Sequence, residues 1–198
     1  MTAPYEYPLT PGLIVSFQRF VRPAGGLLRG LPASQGALPL LVAERGRVLI
    51  PVPDGEALWI GLLRVHRAPG CAVRVAATLE TGAVVDVWTN RTPDGQPPPA
   101  PGWMAVPPHF AVAGLSHPDG WWPLTRQRWP VRPDGRERAP SCSRVEVVAW
   151  TRGPGEEPHQ AVLRADLVTV AAFVAAGGEA PLAPERSATD RPAPHGPW

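Results

Sequence analysis

The stretch Val48–Leu63 (VLIPVPDGEALWIGLL) decides the fold class of this chain of 198 residues. It consists of two apolar runs on either side of the triplet Pro53-Asp54-Gly55. In such a triplet the proline presets φ for the first turn position, the aspartate hydrogen-bonds the nearby backbone, and the glycine accepts a positive φ. The second run is almost entirely apolar, which is typical of a central strand with both faces covered. The stretch therefore predicts an antiparallel hairpin at the centre of a packed sheet.

Apolar runs before and after this hairpin predict the remaining strands. Leu13–Val21, Cys71–Leu79 and Arg144–Thr151 are the strongest candidates, and the last two alternate with the period of two of a half-buried strand. Shorter candidates occupy residues 83–88, 103–106, 110–115 and 121–131. The Pro-Asp-Gly triplet recurs at residues 93–95, 118–120 and 133–135. Turns of this kind between β-branched and aromatic runs favour an antiparallel sandwich or barrel.

The C-terminal part of the chain predicts one strand, one short helix and a tail. Ala161–Val168 alternates as a strand, and Thr169 is a suitable N-cap for a helix VAAFVAA that ends at Gly177-Gly178. A single helix over residues 160–176 is the alternative. From Glu179 onward the composition is rich in proline, alanine and charge, which predicts a flexible, disordered tail over residues 179–198. We therefore predict one all-β domain over residues 1–178, an antiparallel two-layer sandwich of jelly-roll type with about eight or nine strands.

Composition excludes several functional classes. The formal net charge of +2 is too small to indicate a nucleic-acid partner, and no apolar run reaches the length of about 20 residues that crosses a bilayer. All 19 cationic side chains are arginine, and asparagine occurs once. A GC-rich bacterial genome, such as that of an actinobacterium, explains these biases better than selection for guanidinium chemistry does. Without a lysine, a phosphate-binding loop of the P-loop type is excluded.

The two cysteines, Cys71 and Cys142, are predicted to be ordinary buried thiols. The N-terminus shows no basic and apolar pattern of a secretory signal, so we expect a soluble, cytoplasmic protein in which a disulfide is disfavoured. The segment Ser141-Cys142-Ser143 precedes a strand and could expose a nucleophile, but no base or oxyanion hole accompanies it in the sequence. The catalytic residues, if there are any, stay unassigned.

The histidines do not predict a metal site. None of them has the HxH or HxxxH spacing that places two imidazoles on one side of a strand or helix; they are His66, His109, His117, His159 and His195. A cupin-like metal enzyme would have a compatible fold but has no motif behind it. We therefore predict neither a metal nor a cofactor.

The strongest functional signal is a window of aromatic and arginine residues between positions 103 and 129. Trp121 and Trp122 are adjacent on a predicted strand, so their side chains must point to opposite faces. Arg126 and Arg128 share one face and could hold a carboxylate or stack on a ring. Tryptophan and arginine are enriched in binding hot spots. The predicted site residues are Trp103, His109, Trp121, Trp122, Arg126 and Arg128. The alternative is that the second tryptophan covers an edge of the core.

These residues support two main hypotheses about function. The leading one is a non-catalytic binding or assembly module that presents the window to a protein partner or a small apolar ligand. The alternative is an enzyme of bacterial specialised metabolism with a tryptophan-lined cavity. A cavity of about 300–1,000 Å³ lined by Trp103, Trp122 and Arg126 would favour the enzyme, and a flat patch would favour the module. A third class, a subunit of a larger particle or homo-oligomer, would have a self-complementary interface.

Short motifs resemble those of a bacterial β-rich family without an assigned activity. Ile50-Pro51-Val52 followed by Glu56-Ala57-Leu58-Trp59-Ile60 looks like the family's strand pair, and Ala72-Val73-Arg74-Val75 is similar to its next strand with Arg74 in a lysine position. The similarity covers about residues 13–130. The chain departs from the family's pattern after Val106, because Pro107-Pro108-His109-Phe110-Ala111 does not match the family's Pro-x-x-x-Trp-hydrophobic-Asp segment. The resemblance implies a β-rich fold and carries over no activity.

Overall fold

The computed structural model describes residues 4–23, 26–127, 140–152 and 157–182. Most of its elements are strands, and one short helix lies near the C-terminus. In chain order they are β1 (Glu6–Thr10), β2 (Leu13–Val21), β3 (Leu41–Glu44), β4 (Arg47–Pro51), β5 (Glu56–Arg64), β6 (Cys71–Leu79), β7 (Val84–Asp86), β8 (Met104–Val106), β9 (Ala111–Val112), β10 (Gly114–His117), β11 (Gly120–Pro123), β12 (Cys142–Thr151), β13 (His159–Val168) and α1 (Val170–Ala175).

The strands form two sheets and a two-stranded ribbon. The smaller sheet has the order β1-β2-β5-β9, the larger one has the order β3-β4-β13-β12-β6-β7 with β8 also on β6, and β10 pairs with β11. Every pairing between these described strands is antiparallel except that of β4 with β13, which is parallel. The predicted all-β fold with antiparallel sheets and a short C-terminal helix is confirmed. The jelly-roll connectivity stays a prediction.

The core lies between the two sheets and follows the alternation of their strands. Every second residue of β2 and β5 faces inward, and these residues meet the alternating residues of β6, β12 and β13. The fully buried members include Phe17, Ile60, Val75, Val147 and Leu163. The strand bounds predicted for Leu13–Val21 and Cys71–Leu79 are those of β2 and β6.

The prediction of a hairpin at Pro53-Asp54-Gly55 is wrong. β4 pairs with β3 and β13, whereas β5 pairs with β2 and β9, so the triplet carries the chain from one sheet to the other. Gly55 does occupy the positive-φ position, at φ 80°. Turn chemistry sets the local bend but not the partner of the strand that follows it. Both apolar runs become interior strands, and each finds its two neighbours elsewhere.

Another triplet does form a hairpin. Pro118 and Asp119 connect β10 to β11, and His117 lies opposite Gly120 in the ribbon. The triplet at residues 93–95 lies in the loop between β7 and β8. The triplet at residues 133–135 lies outside the described residues.

The predicted helix and its caps are present. The Thr169 hydroxyl accepts a hydrogen bond from the amide of Ala172, Phe173 is buried, and Gly177 follows the helix at φ 95°. Since β13 pairs with strands on both sides, the alternative of one continuous helix is wrong. No helix in the described part of the chain is long and apolar enough to cross a membrane.

A buried ion pair closes one end of the core. Arg19 on β2 and Glu56 on β5 are 5% and 8% exposed. The Arg19 Nε donates to Glu56 Oε2 at 2.7 Å, and a second nitrogen donates to Oε1. The remaining guanidinium nitrogen donates to the carbonyl of Leu182 at 2.6 Å, so the segment after α1 is tied to the smaller sheet. Most of the predicted tail, residues 183–198, lies outside the described residues.

Charged side chains connect β4, β13 and β12 across the larger sheet. Asp166 accepts hydrogen bonds from Arg47 at 2.8 Å and from Arg144. Burial raises the pKa of Asp166, but the hydrogen bonds from Arg144 and Arg47 outweigh this effect and hold the pKa below its ordinary value.

We expect Asp166→Asn to lower the free energy of unfolding at neutral pH. The free energy of unfolding of this variant should also fall less steeply than that of the wild type as the pH is lowered. A lowered folded pKa stabilises the protein fully above the ordinary carboxyl pKa of about 4, and this contribution is lost as the pH falls through the folded pKa. Urea unfolding of both proteins between about pH 7 and pH 2 measures this. Glu146→Gln, which removes the more exposed carboxylate bonded to Arg164, is the control and should change the profile less. Parallel profiles of wild type and Asp166→Asn would contradict the prediction.

Candidate functional site

An apolar groove of about 520 Å³ lies beside the edge of the smaller sheet. The segment 108–114, which contains β9, forms a large part of its lining, and residues 29–31, Trp88 and Trp121 complete it. Small-molecule sites typically have volumes of about 300–1,000 Å³. The groove is therefore large enough for a small ligand.

Within the segment 108–114, β9 is an edge strand of the smaller sheet. It pairs with β5 through Ile60 opposite Val112 and Gly61 opposite Ala111, and no other described strand adds to its far side. The amide of Leu62 donates to the carbonyl of Phe110 at 2.8 Å, which holds the start of the segment. The Phe110 side chain is 55% exposed. This edge thus combines a fixed backbone with an exposed aromatic ring.

Trp88 and His109 form one wall of the groove. Their rings pack edge to face with centroids 5.2 Å apart, and Trp88 is 45% exposed. The Asp86 Oδ1 accepts hydrogen bonds from the amides of Trp88 at 3.0 Å and Thr89 at 2.8 Å, which positions the backbone of Trp88. The His109 Nδ1 lies 3.1 Å from the carbonyl of Ala105. Because a carbonyl only accepts, Nδ1 carries a proton, and the Nε2 of the neutral ring is an acceptor.

Trp121 is held in the lining by a backbone bridge. Its amide donates to the carbonyl of Leu28 at 2.9 Å, and the amide of Leu28 donates back at 2.8 Å. Leu28, Phe20 and Ala57 form a small buried cluster against which Trp121 packs. Gly120 permits this approach, because a Cβ there would lie 2.0 Å from the Leu28 carbonyl oxygen. The loop after Leu28, which contributes residues 29–31 to the groove, is therefore fixed to β11.

Among the predicted site residues, the structure brings His109 and Trp121 together in the groove. Trp122 points to the other face of β11, as predicted for adjacent strand residues. Its ring packs on the main core and lies edge to face with His117 at 5.1 Å.

Trp103 lies at a different place, against the larger sheet. Its ring lies over Arg74 at 5.1 Å and edge to face with Trp150 at 6.4 Å. Its Nε1 donates to the carbonyl of Gln96 at 3.0 Å, and Arg74 pairs with Asp94. Trp103 thus fastens the proline-rich loop, residues 89–102, to this sheet.

Arg126 also has a structural contact outside the groove. Its guanidinium donates to Asp54 Oδ1 at 3.1 Å, and the neighbouring Gln127 accepts from the amide of Gly55 at 2.9 Å. Both contacts hold the connection between β4 and β5. Arg128 lies outside the described residues. The described lining of the groove includes none of Trp103, Trp122 and Arg126, the residues whose cavity would have favoured the enzyme hypothesis.

Sequence reasoning missed Arg29, Leu31 and Trp88 as lining residues. They are far from His109 and Trp121 in the chain and meet them only through the strand order. One signal was available for Trp88, since the alternation of Val85 and Val87 places Trp88 on the opposite side of its predicted strand.

The described residues contain no metal site and no activated cysteine nucleophile. No group of three or more His, Cys, Asp or Glu side chains within them could hold a metal ion. Cys71 and Cys142 are free and buried. Cys71 begins β6, whereas Cys142 begins β12 opposite Leu79 at the far end of β6, so the two thiols are separated by about 26 Å at ~3.3 Å per residue. Burial raises the pKa of Cys142 to about 12, so this thiol is not an activated nucleophile.

Comparisons of the chain with protein-family models, with curated proteins and with solved structures found no match. The family resemblance of residues 50–75 therefore stays a prediction.

Proposed function

We propose that this chain is a non-catalytic binding module that takes up a small apolar ligand in the groove between Trp88, His109, Phe110 and Trp121, hereafter the aromatic groove. The observation that carries this proposal is the exposure of large aromatic rings on a concave surface. Trp88 is 45% and Phe110 is 55% exposed, and both line a groove of about 520 Å³. Exposed apolar surface of this kind typically marks an interaction site.

Hydrogen bonds within the protein position the walls of the aromatic groove, so the site is preformed. Hydrogen bonds to Asp86 position the backbone at Trp88, and the Leu28 bridge positions Trp121. A preformed site loses less conformational entropy on binding than a mobile one, so more of the apolar contact energy appears as affinity. Burying apolar surface contributes about 25 cal/mol per Å². These features support uptake of a small molecule.

We expect the neutral fluorophore N-phenyl-1-naphthylamine to bind saturably, and Trp88→Leu to weaken its binding about tenfold. The substitution removes an aromatic wall at a half-exposed position, so the fold should tolerate it. Fluorescence titration gives both dissociation constants. Trp103→Leu is the matched control, because Trp103 lies outside the aromatic groove. Equal weakening by both substitutions, or no saturable binding to the wild type, would overturn the proposal.

One observation favours the enzyme alternative. His109 lines the aromatic groove, and its Nδ1 is committed to the carbonyl of Ala105, which leaves Nε2 available as a proton acceptor. An oriented imidazole beside a bound substrate could act as a general base. Mass spectrometry of a ligand incubated with the protein tests this. Turnover that is lost in His109→Gln with affinity unchanged would replace the binding module by an enzyme.

A cytoplasmic location and a monomeric binding unit belong to the same proposal. The free thiols of Cys71 and Cys142 support a reducing compartment.

Light scattering behind a sizing column gives the mass of the protein in solution and so tests whether the binding unit is a monomer. An oligomer that dissociates in Trp88→Leu would show that a second copy of the chain occupies the aromatic groove instead of a small ligand.

A further inference from the structure

Among the described residues that line the aromatic groove, Arg29 is the one arginine, and none is an Asp or a Glu. Its side chain is exposed, and within the described parts of the chain it has no ion pair or hydrogen bond. Five other arginines pair with carboxylates, namely Arg47, Arg74, Arg126, Arg144 and Arg164. The exposed Arg45, outside the groove, has no ion pair or hydrogen bond among the described residues either. The groove therefore has one uncompensated positive charge at an apolar site.

The position of Arg29 is set by the backbone. It directly follows Leu28, whose amide and carbonyl are both bonded to Trp121. Because Arg29 is exposed and also lines the groove, it lies at the rim, where its charge keeps contact with water. A ligand whose apolar part packs on the rings of Trp88 and Trp121 thus has the Arg29 side chain at the rim, on a backbone position held by the Leu28 bridge.

We propose that the aromatic groove selects small amphipathic carboxylates, with the apolar body against the aromatic rings and the head group on Arg29. A guanidinium presents a planar fork of donors that matches a carboxylate, and the hydrogen bonds are strengthened by charge. With no acidic side chain in the described lining, nothing competes for this cation. The proposal rests on the proposed function, because it names the chemistry of the ligand that the groove takes up.

The test compares octanoate with 1-octanol, which have the same number of carbon atoms and differ in the charge of the head group. Each displaces N-phenyl-1-naphthylamine from the wild-type protein at pH 7. We expect octanoate to bind about fivefold more tightly than 1-octanol, as one exposed ion pair provides. Raising the ionic strength should reduce this preference and leave the binding of 1-octanol unchanged.

Arg29→Gln should abolish the preference for octanoate over 1-octanol. The two ligands are compared on the same variant, so any change in fluorophore affinity affects both equally. Arg29→Lys should retain part of the preference. Arg45→Gln is the matched control, since it removes an equal charge from an exposed turn outside the groove and should retain the full preference. Equal displacement by octanoate and 1-octanol, or a preference that survives Arg29→Gln, would overturn the carboxylate proposal while fluorophore binding still supports the proposed function. Failure of the fluorophore to bind would overturn both.

Discussion

Arg19→Met should lower the free energy of unfolding by about 3–5 kcal/mol, the effect expected when one partner of a buried ion pair is removed. Glu56 is 8% exposed and its carboxylate is bonded to two nitrogens of Arg19. Without the guanidinium, this carboxylate would remain buried with no compensating charge. The carbonyl of Leu182 would lose its donor as well. Urea unfolding at pH 7, followed by far-UV circular dichroism, measures the change.

Two further variants distinguish the cost of leaving a buried charge uncompensated from the cost of losing packing contacts. Arg19→Met combined with Glu56→Leu should recover most of the stability, because apolar residues often replace a buried ion pair at little cost. Arg164→Met removes one partner of the exposed pair with Glu146 and should cost no more than about 1 kcal/mol. A double variant as unstable as Arg19→Met would show that packing, and not an uncompensated charge, dominates at this position.

Gly120→Ala should abolish binding in the aromatic groove and lower the free energy of unfolding by about 2 kcal/mol. The new Cβ would lie 2.0 Å from the carbonyl oxygen of Leu28, and a backbone atom cannot rotate away as a side chain does. Gly120 also has φ 147°, which an alanine rarely adopts. The bridge between Leu28 and Trp121 must therefore separate. This displaces Trp121 and the segment with Arg29 together.

Gly82→Ala is the control for backbone strain. Gly82 has φ 83° but no heavy atom within 4 Å of the Cβ position, so only the conformational penalty remains. We expect a loss of about 1 kcal/mol and unchanged affinity for N-phenyl-1-naphthylamine. Full binding by Gly120→Ala would show that the Leu28 bridge does not hold the groove.

The bounds and buried faces of several strands could be predicted from the local sequence pattern. The strands with which they pair could not. Alternation within Cys71–Leu79 gives both the bounds of β6 and its buried face, because the period of two is a property of one strand. The triplet Pro53-Asp54-Gly55 predicts a turn equally well, yet the strands on either side of it belong to different sheets. Strand pairing depends on which distant residues complete the core, which no short stretch records.

The same reason limits prediction of the site. Trp103, His109, Trp121 and Arg126 are close in sequence, but only His109 and Trp121 line the aromatic groove. Trp103 instead packs against Arg74 of the larger sheet. A window of sequence captures residues on opposite faces and on different sheets. The groove collects residues by their position at one sheet edge, whatever their separation along the chain.

The parallel pairing of β4 with β13 has a consequence for synthesis of the chain. β13 lies between β4 and β12, so these two strands have no link in the larger sheet until His159–Val168 has been made. An emerging chain that ends before this strand would expose two apolar strand edges, which are templates for association with other chains. The ribosome must therefore release nearly the whole domain before the sheet can close. A slow passage from β12 to β13 during synthesis would prolong the exposure of these edges and favour aggregation.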